Sequence, residues 1–248
     1  MQAIIMAAGR GSRLGNLTES IPKAFLEVKG HRLIDYNLAL LRENGVSDIK
    51  IVTGYKAELY EDMANNYTDI TCVYNPFHAH CNVLGSFFMA QEKLKDDDTI
   101  YLHADTLCAP DIFKDMVHGN GDIVMPVDFK HCDNEAMKVT TQGGQVVSVS
   151  KKIPESESEG EFIGMAKLSG NVMPAIKRAS QKLMRDGCLT SYFEGAIQEV
   201  INIGGYSVPA MPTNNRFWGE VDFIEDYEYV KNNLPEALWQ IAEKHKND

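Results

Sequence analysis

Short runs of β-branched and other apolar residues alternate with amphipathic stretches through the first part of the chain. Extended runs occur at Gln2–Met6, Ile49–Thr53, Ile70–Tyr74 and Thr99–His103, and the stretches Leu33–Glu43, Lys56–Asn65 and Val83–Leu94 are helical in pattern. This alternation is typical of βαβ units built around a mostly parallel sheet. We therefore expect an α/β fold, a Rossmann-like mixed and mostly parallel sheet flanked by helices.

The pattern changes after a further buried strand at Ile123–Val127. Two strand-like runs, Glu135–Thr140 and Val146–Ser150, are joined by QGGQ at residues 142–145, a glycine-containing hairpin turn. The polar, acidic segment Pro154–Glu161 is predicted to be an exposed loop. We expect a small antiparallel insertion at about residues 128–170, on the acceptor-substrate side of one domain that spans residues 1–248. Helical patterns return at Asn171–Met184, Thr190–Val200, Phe223–Asn232 and Leu234–Lys246.

Composition excludes several classes of protein. The chain is 44% hydrophobic and 24% charged, as in ordinary globular proteins. Its five cysteines are odd in number and form no C-x-x-C pair, which argues against a disulfide framework and a structural zinc site. A net charge of −11 disfavours binding to long nucleic acids, whose affinity depends on lysine and arginine contacts to phosphates.

The N-terminus does not have the pattern of a targeting segment. Met1–Ala8 is apolar, but no basic stretch precedes it and a glycine loop follows at once, so we interpret it as a buried first strand. No apolar run approaches the roughly 20 residues that a membrane span needs. A cytoplasmic protein without a membrane partner is expected.

The segment AAGRGSRLG at residues 7–15, followed by PKAF at residues 22–25, is the most informative part of the sequence. Gly9 and Gly11 allow backbone N–H groups to approach a triphosphate without interference from a Cβ atom. Arg13 and Lys23 supply cations for the charge that develops during phosphoryl transfer. The pattern favours a phosphate-binding loop with two cationic side chains.

Spacing separates this loop from two better-known nucleotide motifs. A dinucleotide-binding fingerprint needs G-x-G-x-x-G, and Gly15 is one position late. A Walker lysine follows a glycine directly, and Lys23 does not. An ordinary strand-to-helix turn with a solvated arginine and lysine is the alternative for a lone G-x-G, and the combined pattern makes that alternative weaker.

The combination of Ala7-Ala8-Gly9-x-Gly11-x-Arg13 with Pro22-Lys23 resembles the signature of the sugar-phosphate nucleotidyltransferase superfamily. The resemblance implies that Ala8, Gly9, Gly11 and Ser12 bind the NTP phosphates, and that Arg13 and Lys23 act on the triphosphate and the transferred phosphate. It also implies a direct attack by the acceptor oxygen on the α-phosphorus, with pyrophosphate leaving. Positioning and electrostatics then provide most of the catalysis.

Two aspartates are candidate ligands for Mg²⁺, which prefers carboxylate, phosphate and water oxygens. Asp105 follows the strand Thr99–His103, at the sheet edge where open α/β proteins bind ligands. Asp222 precedes a predicted helix, so its alternative role is an N-cap. Both match the metal-binding aspartates of the resembled family. His103 points to the same face as Asp105 but is a weaker candidate, because a lone strand histidine is usually structural.

The helix that starts near Val83 follows a polar loop. Asn82 is a natural N-cap, and the resemblance implies that Asn82 and Ser86 contact the nucleobase. The alternative is capping together with ordinary helix packing. His78 and His80 have no cysteine or carboxylate partner at suitable spacing for a metal site.

The insertion resembles the acceptor side of the small cytidylyltransferases that make CDP-choline or CDP-aminoethylphosphonate. Lys138 and Lys152 are candidates for binding the phosphonate or phosphate, and Asp133 or Glu135 for binding an ammonium group. A charged hairpin surface without a ligand is the alternative for each of them.

Phosphocholine and 2-aminoethylphosphonate differ in what they require. A quaternary ammonium cannot donate N–H hydrogen bonds and is usually held over aromatic faces, whereas a primary ammonium bonds directly to carboxylates. Candidates for an aromatic wall are Tyr192, Phe193, Phe217 and Trp218, although Tyr192 and Phe193 fit a helix core equally well. The acidic insertion favours the primary amine.

The sequence thus supports a CTP-dependent cytidylyltransferase that uses Mg²⁺ and a small phosphonate or phosphate acceptor. A sugar-1-phosphate nucleotidyltransferase using UTP, dTTP or GTP is one alternative. A nucleotide-binding regulatory subunit without turnover is another, against which the joint presence of Lys23, Asp105 and Asp222 argues. These residues do not determine the oligomeric state, so a homodimer is kept as one alternative.

Overall fold

The computed structural model describes residues 1–246, so the last two positions of the predicted domain lie outside the described residues. The strands are β1 Gln2–Ala7, β2 Glu27–Val28, β3 His31–Arg32, β4 Ile49–Thr53, β5 Ile70–Tyr74, β6 Thr99–His103, β7 Thr106–Cys108, β8 Ile123–Asp128, β9 Lys138–Gln142, β10 Gln145–Val149, β11 Gly160–Phe162, β12 Met165–Leu168, β13 Ala210–Pro212 and β14 Trp218–Glu220. The α-helices are α1 Leu33–Glu43, α2 Ala57–Ala64, α3 Val83–Ala90, α4 Pro110–His118, α5 Met173–Arg185, α6 Glu194–Ile203, α7 Ile224–Asn233 and α8 Glu236–Lys244. Short 3₁₀ turns lie at Ser12–Thr18, Lys23–Phe25, Gln91–Lys93 and Glu155–Glu157.

One large mixed sheet organises the molecule, in the order β10-β9-β11-β8-β12-β6-β1-β4-β5, with β13 paired to β8. Strand β1 is parallel to both β4 and β6, and β4 is parallel to β5. Strand β12 runs antiparallel between β6 and β8 and so joins the two halves of the sheet. The predicted α/β fold class is confirmed, and the antiparallel part is an extension of the main sheet at one edge.

Helices cover both faces of the sheet because the central strands are apolar on both sides. In β1, Ala3 and Ile5 belong to one buried cluster, and Ile4 and Met6 belong to the other. The first cluster includes the inward faces of α1, α4 and α8, and the second includes those of α3, α5 and α6. Because β1, β4, β5 and β6 run parallel, their carboxyl ends lie at one common edge of the sheet.

Most of the predicted elements are confirmed, and the differences lie in the insertion and beyond it. Gly143 and Gly144 have φ values of 59° and 77°, as a tight hairpin turn between β9 and β10 requires. The first strand of that hairpin begins at Lys138 and not at Glu135, and the acidic loop ends in β11. No local pattern predicts α4, β12, β13 or β14, three of which are strands of three or four residues.

The five cysteines, Cys72, Cys81, Cys108, Cys132 and Cys188, are free thiols in the structure. Among residues 1–246, no helix has both the length and the apolar character that crossing a membrane requires.

Candidate active site

A cleft of about 1120 Å³ lies at the edge where β1, β6 and β8 end. Its walls include the glycine loop after β1, Asp105 after β6 and Asp128 at the end of β8. Parallel strands direct the residues that follow them to one edge, which is where open α/β sheets bind ligands. The predicted loop residues Ala8, Gly9, Gly11, Ser12 and Arg13 all line this cleft.

The glycine loop has a conformation that only glycine adopts readily at Gly11. Its φ is 70°, and a Cβ atom there would lie 2.9 Å from Cβ of Lys23. A Cβ atom at Gly9 would meet no protein atom within 4 Å. Gly11 is therefore needed for backbone conformation and for the approach of Lys23, whereas Gly9 leaves space on the cleft side.

Lys23 is the centre of the charged site. Its ammonium is paired with Oδ2 of Asp105 and lies 2.6 Å from Oδ1 of Asp222. Arg13 completes the group, with Nη1 3.0 Å from Oδ2 of Asp222. The four residues predicted to act on the phosphates and the metal are thus brought together from segments far apart in the chain.

These contacts shift the pKa values of Lys23, Asp105 and Asp222. Burial disfavours the charge of Lys23, but Asp105 and Asp222 outweigh it and raise its pKa above the ordinary value. Burial raises the pKa of Asp105 even though Lys23 opposes this. For Asp222 burial is outweighed by Lys23 and Arg13, so its pKa is lowered. Lys23 consequently stays charged throughout the neutral range.

A second charged group adjoins the first. Nδ1 of His103 lies 3.2 Å from Oε1 of Glu220, and its Nε2 lies 2.9 Å from the hydroxyl of Tyr101. Burial disfavours the imidazolium, but the hydrogen bond to Glu220 and the charges of Glu220 and Glu194 raise the pKa of His103 to about 9. His103 therefore carries a positive charge at neutral pH, with Glu220 as its counter-ion.

The donor set of this site suits a divalent cation. Asp105 and Glu220 each offer a carboxylate oxygen, and His103 offers a ring nitrogen only in its unprotonated form; these three atoms lie within 4.8 Å of one another. Oδ1 of Asp105 is buried and has no hydrogen-bond partner among the described residues. Asp105 and Asp222 also share one cation, so an oxygen of each carboxylate lies against the ammonium of Lys23. Sequence reasoning named His103 only as a weak candidate and missed Glu220, although the alternation Glu220, Asp222 was visible.

The alternative role of Asp222 as an N-cap is wrong. Phe223 is the N-cap of α7, and the carboxylate of Asp226 accepts hydrogen bonds from the backbone N–H groups of Asp222 and Phe223. Since Asp226 stabilises the helix start, the Asp222 carboxylate is left to contact Lys23 and Arg13.

The residues expected near the nucleobase line one wall of the cleft. Asn82 is the N-cap of α3 by position but makes no side-chain capping bond, and its amide donates to the carbonyl of Thr190 at 2.6 Å. Ser86 is buried, and its hydroxyl oxygen accepts a hydrogen bond from Asn75 at 2.9 Å. His78 also lines the cleft.

The predicted acceptor residues separate into two groups. Asp133 and Glu135 line the cleft, and Glu135 lies 4.0 Å from Arg13. Lys138 does not reach it, because its side chain is fully buried and its ammonium donates to the carbonyls of Asp133 and Ala136. Its predicted contact with the acceptor is therefore corrected to a structural role. Lys152 is absent from the cleft wall, where its neighbour Lys151 lies instead.

Aromatic residues also divide between wall and core. Tyr192, Phe217 and Trp218 line the cleft. Phe193 is fully buried and stacks on Tyr101 with ring centroids 4.0 Å apart, so it belongs to the core.

Sequence reasoning missed several charged residues of the cleft wall: Asp128, Lys130, Glu161 and Glu194. Asp128 was the most accessible to prediction, because it follows a buried strand in the same way as Asp105.

Both the sequence and the fold of the chain match known nucleotidyltransferases. The sequence profile of the MobA-like NTP transferase domain matches residues 3–182. The chain is 26% identical to the CTP:phosphoglutamine cytidylyltransferase of Campylobacter jejuni, over 92% of this chain and 98% of that protein. It is 33% identical to the 2-aminoethylphosphonate cytidylyltransferase of Lancefieldella rimae, over 42% of each chain. A solved structure of the CTP:phosphocholine cytidylyltransferase from Streptococcus pneumoniae shares the fold, with a TM-score of 0.76, 24% identity, and coverage of 94% of this chain and 99% of that one.

Proposed function

The chain belongs to the MobA-like NTP transferase domain family and is a nucleotidyltransferase, and from this premise we propose that it transfers CMP from CTP to a small phosphonate or phosphate acceptor. The favoured acceptor is 2-aminoethylphosphonate, followed by phosphocholine. The observation that carries the proposal is the position of Lys23, which contacts both Asp105 and Asp222 beside the glycine loop.

In the proposed reaction an oxygen of the acceptor's phosphate or phosphonate attacks the α-phosphorus of CTP. A new P–O bond forms, the bond between the α-phosphorus and the bridging oxygen to the β-phosphate breaks, and pyrophosphate leaves with that electron pair. No proton has to be removed from an ionised acceptor oxygen. Lys23 and Arg13 would stabilise the charge on the phosphates, and Ala8, Gly9, Gly11 and Ser12 would position them.

We propose that Asp105 and Asp222 hold Mg²⁺, with His103 and Glu220 close to the first of them. The unpartnered oxygen of Asp105 and the convergence of the two carboxylates support this assignment. Oxygen donors match the preference of Mg²⁺. When bound, the ion would neutralise triphosphate charge and polarise the α-phosphate.

The nucleobase is assigned to the wall that contains Asn82 and Ser86. Their position on the cleft supports that assignment. Cytosine as the base is supported by the two relatives reported above from sequence, both of which are cytidylyltransferases. UTP, dTTP or GTP with a sugar 1-phosphate is the alternative.

For the acceptor, Asp133 and Glu135 are assigned to a primary ammonium group. Lys151, which lies 3.7 Å from Glu135 and over the ring of Tyr192, replaces Lys138 and Lys152 as the cation for the phosphonate. A phosphorylated amino acid amide, such as phosphoglutamine, is a second candidate, since a carboxylate on the acceptor could also bind Lys151.

The deciding experiment measures pyrophosphate release with each of CTP, UTP, dTTP and GTP against 2-aminoethylphosphonate, phosphocholine, phosphoglutamine and glucose 1-phosphate, with Mg²⁺ present. We expect turnover with CTP and an amine-bearing acceptor. Turnover only with another NTP and the sugar phosphate would contradict the assignment.

Two variants separate an enzyme from a regulatory subunit. Lys23→Ala and Asp105→Ala are expected to abolish turnover, whereas Lys29→Ala, an exposed lysine outside the cleft, is the matched control. Unchanged turnover in both cleft variants would make the catalytic assignment wrong.

A further inference from the structure

Lys130 occupies a site that has the chemistry of an ammonium receptor. Its ammonium lies 2.9 Å from Oε2 of Glu161 and 3.4 Å from Oδ2 of Asp128. It also lies 4.7 Å from the ring centroid of Trp218. Two carboxylates and an indole face are the groups that bind alkylammonium ions. We call Asp128, Glu161 and Trp218 the cation cage.

The cage is held in place independently of Lys130. The Asp128 carboxylate accepts hydrogen bonds from the hydroxyl of Thr213 at 2.8 Å and from Nε1 of Trp218 at 3.0 Å. The second of these bonds fixes the indole so that its face is presented to the ammonium. The receptor is therefore preorganised, whichever cation fills it.

The cage requires a cation because its two carboxylates repel each other. Glu161 and Asp128 lie directly opposite on the antiparallel strands β11 and β8, and their side chains are 17% and 16% exposed. Like charges in such a cross-strand pair are destabilising. Among the described residues, Lys130 is the one cation that pairs with Glu161. Loss of Lys130 would leave a largely buried carboxylate without a counter-ion.

Lys130 also faces the cleft. The residue follows the end of β8, its side chain is 43% exposed, and it lines the cleft assigned to the acceptor. A residue placed in this way decides whether the cage is available to a ligand.

From these contacts we propose that Lys130 is a specificity determinant, which fills the cation cage with the protein's own ammonium and so excludes acceptors that carry a quaternary ammonium. The inference rests on the proposed cytidylyl transfer to a small acceptor. A primary ammonium is then directed to Asp133 and Glu135, where it can donate hydrogen bonds. A trimethylammonium group cannot donate them, and the cage whose carboxylates and indole face suit such a group is filled by Lys130.

The test compares kcat/KM for phosphocholine and for 2-aminoethylphosphonate, each with CTP, in the wild type and in Lys130→Ala. The variant opens the cage, so the ratio of phosphocholine to 2-aminoethylphosphonate activity should rise about 10-fold or more. Lys130→Arg keeps a cation in the cage and should keep the wild-type ratio.

A matched control exists on the opposite wall. Lys151 also lies over an aromatic ring, that of Tyr192 at 5.2 Å, and pairs with a carboxylate, Glu135. Lys151→Ala should lower kcat/KM for both acceptors and leave their ratio unchanged. Adding Trp218→Leu to Lys130→Ala should remove the gain for phosphocholine.

A binding measurement that does not depend on turnover keeps the proposal testable if a variant folds poorly. Tetramethylammonium chloride should raise the melting temperature of Lys130→Ala, relative to sodium chloride at equal ionic strength, and should not change that of the wild type. This binding measurement keeps the two proposals distinct. Absence of cytidylyl transfer by the wild type overturns the proposed function, whereas an unchanged acceptor ratio together with no tetramethylammonium effect overturns the role of Lys130.

Discussion

The ammonium of Lys23 lies 2.6 Å from Oδ1 of Asp222, although 199 positions separate the two residues in the chain. The same ammonium also pairs with Asp105. One lysine therefore joins the segment after β1 to the segments after β6 and β14. Stability and the geometry of the site depend on the same contact.

Lys23→Met should weaken both the fold and the activity. The substitution leaves Asp105 buried without its counter-ion, and breaking a buried ion pair costs about 3–5 kcal/mol of unfolding free energy. Loss of a cation that stabilises the transition state should lower kcat by about 10²–10³-fold. Denaturant unfolding and pyrophosphate release measure the two effects.

The control for Lys23→Met is Lys29→Met. Lys29 is 42% exposed and pairs with Glu236 at 3.9 Å, so its loss should change the unfolding free energy by less than about 1 kcal/mol. Equal denaturation midpoints for the two variants would show that the Lys23 pair does not stabilise the fold.

Gly11→Ala should lower the stability of the protein, whereas Gly9→Ala should raise the KM for CTP. At Gly11 the φ of 70° and the close approach to Lys23 make an added Cβ atom strained, so the unfolding free energy should fall by about 1–2 kcal/mol. At Gly9 nothing in the protein opposes a Cβ atom, so stability should hold while the KM for CTP rises, because the methyl group enters the cleft. Unfolding curves and nucleotide titrations distinguish the pair; a stable Gly11→Ala variant would contradict the argument.

Asp122 should make the stability of the protein depend on acid pH. Burial alone would raise the pKa of Asp122, but hydrogen bonds from Asn171, the backbone N–H of Ser207 and Ser169 outweigh it and lower that pKa. A lowered folded-state pKa stabilises the protein above the unfolded-state pKa of about 3.9, and this stability is lost as the pH falls through the folded-state value.

The test for Asp122 is urea unfolding of Asp122→Asn at pH 7 and near pH 3. Weakening hydrogen bonds to a charged acceptor should cost about 1–2 kcal/mol at pH 7, and the difference from the wild type should shrink at the acid pH. A difference that stayed constant between the two pH values would exclude the titration of Asp122 as its cause.

Phe193→Ala should destabilise the fold strongly. Phe193 is fully buried, stacks on Tyr101 and lies 4.7 Å from the Phe87 ring centroid, so its truncation leaves a cavity that costs about 3–5 kcal/mol. Phe193→Leu fills much of that space and should cost less. Thermal unfolding measures both, with Tyr192→Ala, a partly exposed cleft residue, as the neighbour that should change stability least.

Local pattern was sufficient for most of the architecture. The continuous apolar run of β1 and the helical period of α1 predict those elements, because each depends on side chains only a few positions apart. The elements that were missed are instructive. Strands β12 and β14 have three or four residues each, which is too short for a period to be recognised. Strand β12 forms between the longer strands β6 and β8, and β14 forms by pairing with the distant strand β7.

The site was predictable wherever a residue follows a strand or a glycine loop. Asp105 was predicted from its position after a strand, Arg13 and Lys23 from the glycine loop with its Pro-Lys motif, and Asp222 from the family resemblance; the structure brings the four into one cluster. Lys138 was predicted to bind the acceptor because it is charged. The sequence alone does not specify whether such a strand residue faces the cleft or the interior, and in the structure Lys138 is buried and donates to the carbonyl of Asp133. The contact of His103 with Glu220 spans 117 positions and has no local signature.

The sequence by itself determined the α/β class, the glycine loop and the strand ends from which charged residues project, because these depend on short-range patterns and on the backbone freedom of glycine. Only the tertiary structure decided which carboxylates share Lys23, that Lys138 is buried, and that Lys130 sits between Asp128, Glu161 and Trp218. Those relationships follow from strand order and register, which bring distant segments together, and no local pattern of residues specifies them.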